Sequence, residues 1–306
     1  MSKEVLKLEN VNKYIGQSHI IKDLSFSVNA GEVFGFLGPN GAGKTSTIRM
    51  IVGLNTMSSG DIYINGFHIS KDFKKAIRGV GAIVENPELY PFMTGYDNLK
   101  HFAKMNDGVT KERILEVADL VGLTDAIHMK VKQYSLGMRQ RLGIAVSILH
   151  HPSVLILDEP TNGLDPAGIK EIRHYIRMLA EKENVAIIIS SHLLSEIELM
   201  CDRIGVIKNG ELITTQNLRE RNQNVIHTYV MKVATPEAAL KILKTLPTVN
   251  AVSIKDAQLY LQTEEAALPE IISALVSHYI ALYTVIPHVS TLEERFFEMI
   301  GDDTYE

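Results

Sequence analysis

Three scarcities narrow what this 306-residue chain can do before any motif is read. Its single cysteine, Cys201, has no partner for an intrachain disulfide; it suits a reducing compartment and reads as a small buried hydrophobe. Cationic residues are not in surplus. The 31 Lys and Arg stand against 36 Asp and Glu, a net charge of −5, and no Lys/Arg-rich arm is present, so nucleic acid is not expected as a partner. Long apolar runs are also missing: IAVSIL and VAIII, among the longest, fall far short of the ~18 residues a membrane helix needs. The opening MSKEVLKLENVNKY is charged from its third residue and has no apolar core of signal-peptide length. The expectation is a cytoplasmic protein, with any membrane role exerted through a partner.

What is present is a layered pattern. The length exceeds one comfortable hydrophobic core, which predicts a large domain and a small one. VLKLENV, IIKDLSFSV and EVFGFLG concentrate apolar and β-branched residues between the turn residues Asn29, Gly31 and Gly38, so the chain starts β-rich. STIRMIVGL has helical spacing and stops at Gly53; 60–64 and 80–84 read as strands. From 96 to 149, GYDNLKHFAKM, KERILEVADLVGL and LGMRQRLGIAVSIL carry apolar residues three and four apart, a helical subdomain. VLILD is wholly apolar, as a parallel strand covered on both faces must be, and IKEIRHYIRMLAEKE followed by VAIIIS repeats helix then strand. The fold class is α/β.

Near Arg219 the pattern changes. VIHTYVMKV, PEAALKILKTL, VNAVSI, QLYLQ, LPEIISALVSHYI and ALYTVI follow in the order βαββαβ, which predicts a small ferredoxin-like α+β module, closed by a helix over TLEERFFEMI. The expected domains are residues 1–218, with the helical subdomain at about 86–150, and residues 219–306.

The chemistry is carried by short strings in a fixed order. GPNGAGKT (38–45) lies between a strand and a helix, where backbone N–H groups and a helix N-terminus converge on a polyphosphate. Gly38, Gly41 and Gly43 permit the bend, Lys44 would reach the β and γ phosphates, and the Thr45 hydroxyl would ligate Mg²⁺. The nucleotide-binding set is completed by Pro39, Asn40, Ala42 and Ser46 of the same loop. VLILDE ends an apolar strand in two acids: Asp158 would hold the metal and Glu159 would activate the attacking water. YSLGM (134–138) offers Ser135 as a helix cap, and the N–H groups of a helix start also bind anions.

This ordered set resembles the ATP-binding cassette (ABC) ATPases over about residues 4–218, which implies a P-loop core with an N-terminal β-subdomain and ATP and Mg²⁺ as ligands. The resemblance implies that Ser135 and Gly137, in the place of the family's signature loop, close on the γ-phosphate held by another subunit. It implies that Tyr14 stacks on adenine, that NGLDP (162–166) with Asp165 joins the subunit contact, and that His192 of SSH (190–192) senses the γ-phosphate. The partners implied are a second ATPase subunit and a separate transmembrane permease, which would hold the chain on the inner face of the plasma membrane.

One position departs. Where these ATPases usually carry glutamine, this chain has Glu85, replacing a neutral amide with a full charge and acceptors only. Near Mg²⁺ it could ligate the metal and take part in catalysis, or disturb the charge balance around the γ-phosphate. Glu85, the following NPELYPFMTGYDNLK, the short YSLGMRQR and the terminal STLEERFFEMI are similar to the bacitracin-resistance and lantibiotic-immunity ABC ATPases, which implies export of a peptide antibiotic or another amphiphile. A soluble ABC ATPase of ribosomes or DNA is the alternative, but such proteins carry two cassettes or a long coiled coil, and this chain has one cassette and no heptad array.

Overall fold

Alternating burial along the first two strands starts the fold. In β1 (Glu4–Ile15) Leu6, Leu8 and Val11 point inward, and in β2 (Ser18–Asn29) Ile21, Leu24, Phe26 and Val28 do the same. A computed structural model describes residues 3–191, 194–219 and 227–288. Along the chain follow β3 (Val33–Leu37), α1 (Lys44–Ile51), β4 (Ser59–Ile64), β5 (Phe67–His68), α2 (Phe73–Ile77) and β6 (Val80–Ile83). Next come α3 (Gly95–Ala103), α4 (Lys111–Leu120), α5 (Leu136–Ile148), β7 (Val154–Asp158), α6 (Pro166–Glu183) and β8 (Ala186–Ser190). The described part of the first unit runs to Arg219 and closes with α7 (Leu194–Met200), β9 (Arg203–Lys208) and β10 (Glu211–Asn217).

Two sheets form this unit. One is antiparallel, in the order β2-β1-β4-β5; the other is mostly parallel, in the order β10-β9-β3-β8-β7-β6, with antiparallel β10 on its edge. Every residue of β3, β7 and β8 is buried, as central parallel strands require. Each fully buried Leu or Ile there contributes roughly 1.5–3 kcal/mol relative to exposure. Because β3, β8, β7 and β6 run parallel and adjacent, their C-terminal ends share one edge, and that edge is where such sheets bind ligands.

The second unit comprises β11 (His227–Val233), α8 (Pro236–Leu243), β12 (Val249–Lys255), β13 (Gln258–Thr263), α9 (Leu268–Ser277) and β14 (Leu282–His288). Its antiparallel sheet has the order β12-β13-β11-β14, the ferredoxin-like arrangement expected from the βαββαβ pattern. Met231, Leu243, Leu259, Leu261, Ile271 and Leu275 make its own core. The predicted helix over TLEERFFEMI lies outside the described residues.

Cys201, just after α7, is 3% exposed, and burial pushes its thiol pKa well above the ordinary value. The folded protein should therefore resist alkylation by iodoacetamide and label stoichiometrically only in denaturant; rapid labelling without denaturant would contradict this burial.

Candidate functional site

The loop that leaves β3 is shaped by close approach and by backbone conformation. A Cβ on Gly38 would stand 2.3 Å from the carbonyl oxygen of Ile207 in β9, so no side chain fits there. Gly43, with φ 111°, turns the chain into α1 through a conformation L-residues rarely adopt. Among the described residues no side chain caps α1, whose N-cap is Gly43. Thr94, Thr110, Ser135 and Asp165, by contrast, each accept a backbone N–H at the starts of α3, α4, α5 and α6. The first N–H groups of α1 and the positive end of its dipole are thus left to an anion.

Lys44 completes the loop. Its Nζ donates to the carbonyl oxygens of Gly38 (2.6 Å) and Pro39 (3.2 Å). Burial lowers its pKa, an effect opposed by the carboxylates of Glu159 and Asp158. Phosphate oxygens are stronger acceptors for an ammonium than neutral carbonyls.

Facing the loop is the end of β7. Asp158 is buried; its Oδ2 accepts the Thr45 hydroxyl at 3.5 Å, and its Oδ1 accepts the Ser190 hydroxyl from the end of β8. The Glu159 N–H donates to the Ser190 carbonyl (3.1 Å) and to Ser190 Oγ (3.2 Å), which ties the two strand ends together. Glu159 has φ 51° and Glu85 has φ 69°. Left-handed backbone is uncommon away from Gly, Asn and Asp, and it gathers at functional sites.

Hydroxyl and carboxylate oxygens side by side are hard ligands that suit Mg²⁺. No group of three His, Cys, Asp or Glu that could hold a metal occurs among the described residues. That donor set fits an ion held by one or two protein oxygens together with substrate phosphates and water, rather than by an all-protein cage.

A cleft of about 490 Å³ joins these parts, lined by the 39–46 loop, Ile20, Glu85, Asn86, Gln140, Asp158, Glu159 and Asn162. Glu85 reaches it two residues beyond β6, and its Oε1 accepts from Arg49 Nη2 of α1 at 2.6 Å. Tyr14 does not line the cleft. The residue is 49% exposed, and its ring stacks on His19, with centroids 4.0 Å apart and planes 10° apart, one residue from the lining Ile20. His192 lies outside the described residues.

Ser135 and Gly137 do not line the cleft either. Ser135 Oγ accepts the Met138 N–H at 3.2 Å and so caps α5. Among the described residues a Cβ on Gly137 would meet nothing closer than Leu164 Cδ2 at 3.8 Å, so their packing does not require glycine there. Asp165 caps α6 by accepting the Gly168 N–H at 2.8 Å.

The sequence reading did not single out Gln140, Asn86, Asn162, Arg49 or His19. Gln140 left a legible trace: an amide on the buried side of an apolar helix, 4% exposed. Further along α5, Gly143 gives way to the loop that carries Glu85: a Cβ there would lie 2.5 Å from Pro87 Cβ. Replacing a helical glycine by alanine ordinarily stabilises by roughly 1 kcal/mol. Gly143→Ala should instead destabilise by about 1–3 kcal/mol through overpacking against a rigid ring, read as a lowered denaturation midpoint. A raised midpoint would contradict the contact.

Comparison with known proteins bears on the family and the fold. The model of the family described as "ABC transporter" matches residues 21–162. An uncharacterized ABC transporter ATP-binding protein of Bacillus subtilis, YhcH, is 55% identical over 307 residues, 99% of this chain and 98% of the relative. The bacitracin transport ATP-binding protein BcrA of Bacillus licheniformis is 45% identical over 225 residues, 72% of this chain and 74% of its own. A solved structure of the ATP-binding subunit of an ABC transporter superposes with a TM-score of 0.63 at 28% identity, covering 70% of this chain and 90% of that one. With a glycine-rich loop leading into α1, a carboxylate-bearing strand end and near full-length similarity to such subunits, this chain belongs to the ATP-binding subunits of ABC transporters and is an ATPase.

Proposed function

We propose that two cassettes, each residues 1–218, close on two MgATP molecules and drive a separate membrane permease that exports a peptide antibiotic or a similar amphiphile. One observation carries the dimer: Lys44, Thr45, Asp158 and Glu159 meet in one cleft, while Ser135 and Gly137 stand outside it on the start of α5. Among the described residues nothing packs close enough to Gly137 to require glycine, and an uncrowded helix start is what a phosphate from a second subunit's site would need.

In each composite site the 38–46 loop and Lys44 bind the phosphates. Thr45 and Asp158 would hold Mg²⁺, which supplies charge neutralisation at the phosphates. Glu159 takes the proton from the attacking water, and Tyr14 offers its exposed face to the adenine. His192 would sense the γ-phosphate. ATP bridges the subunits and its loss releases them, so the γ-phosphate supplies the contacts that distinguish the two states. The helical subdomain at 86–150 would pass the motion to the permease, and residues 219–306 would form an accessory module.

No helix among the described residues is long and apolar enough to cross a membrane, so transport needs a spanning partner. Export of a peptide antibiotic rests on similarity to the bacitracin transport relative. The test is purification of the tagged chain from its own cells in mild detergent. Co-purification of a hydrophobic multi-span protein that stimulates its ATPase activity is expected; co-purification with ribosomes instead would overturn the transport reading.

A further inference from the structure

The acidic residue at the rim of the cleft has a partner of opposite charge on the phosphate helix. Arg49 lies in the last turn of α1, its guanidinium 2.6 Å from Glu85 Oε1, with side chains 43% and 63% exposed. The two residues are 36 positions apart. Their meeting joins the element that starts at the phosphate loop to the loop that leads from β6 into α3.

Charge explains why the pairing matters. Without Arg49, the cleft would face the triphosphate with the carboxylates of Asp158, Glu159 and Glu85 and the ammonium of Lys44. A further negative charge in the cleft disfavours binding of a polyanion. Tied to Arg49, Glu85 adds no net charge, as a neutral amide would not. Its left-handed backbone, which a glutamate adopts at some cost, is braced by the same pair and by Pro87 seated on Gly143.

We propose that Arg49 is a positioning residue that neutralises Glu85 and holds it beside the nucleotide cleft, so that this cassette tolerates a carboxylate there. The inference rests on the ATP-binding reading of the cleft. In itself an exposed ion pair is weak and screened by salt, so the effect belongs in nucleotide binding at low ionic strength rather than in stability.

The test is a double-mutant cycle of Arg49→Gln, Glu85→Gln and the double variant, read by binding of a fluorescent ATP analogue with Mg²⁺ and in EDTA, and by ATP turnover. Both side chains are substantially exposed, so all three variants should fold, with unchanged melting as the check. Arg49→Gln should weaken binding about three- to tenfold at low salt. The loss should shrink as salt rises and should vanish when Glu85 is already glutamine. An equal loss in both backgrounds would place Arg49 on the nucleotide directly, and no loss in either would leave the pair without a role. Either result overturns the proposal. If the unsubstituted chain hydrolyses no MgATP, the ATPase reading falls and takes this one with it; an active chain with an additive cycle removes the pair alone.

Discussion

Glu159→Gln should lower ATP turnover by at least about 100-fold while leaving ATP binding intact, since a positioned general base contributes on the order of 10²–10⁴-fold. The backbone argues that the loss would be chemical rather than structural. The Glu159 N–H is held by the carbonyl and hydroxyl of Ser190, and neither contact uses its side chain. Glutamine has nearly the same shape but cannot take a proton from water. Phosphate release measured beside nucleotide binding checks this. Near-normal turnover would remove Glu159 from the role of base and turn attention to Glu85, which shares the cleft and the left-handed backbone.

The second large effect is expected at Lys44. Its ammonium is buried inside the loop on the carbonyl oxygens of Gly38 and Pro39, so Lys44→Ala removes a positive charge from the cleft and strips those oxygens of a donor. A hydrogen bond to a charged group contributes about 1.5–3 kcal/mol, which predicts ATP binding weakened by about 10- to 150-fold. Equilibrium titration with a fluorescent ATP analogue measures it. An unchanged affinity would mean that the α1 N-terminus alone binds the polyphosphate and that Lys44 is a structural cap of the loop.

How much of this was legible in the sequence depends on the range over which each feature is determined. VLILD and VAIIIS announced β7 and β8 because a strand covered on both faces has to be apolar throughout, and the βαββαβ order after Arg219 was visible because each element carries its own periodicity. The hairpin of β9 and β10 was passed over although its signal is local: Asn209 and Gly210 both have positive φ, the Asn-Gly turn expected between paired strands. The short β5 and α2 lack the length for any period to show.

At the site, the loop, Asp158 and Glu159 could be read from adjacent residues, and Glu85 stood out as a departure. Its partner could not be read. Which basic residue reaches Glu85 depends on how the last turn of α1 faces the end of β6, a tertiary fact with no counterpart in spacing. The His19 ring beneath Tyr14 is similar: the pair forms because β1 and β2 place Tyr14 opposite His19 across the strands. Pro87 on Gly143 is likewise set by packing between a loop and α5.

The central claim is that this cassette completes its catalytic site only in a nucleotide-bound dimer, and the mass of the Glu159→Gln variant in solution tests it most directly. Light scattering with MgATP should give twice the chain mass, and with MgADP the mass of one chain. The single-chain mass in both, with ATP shown to be bound, would contradict the claim.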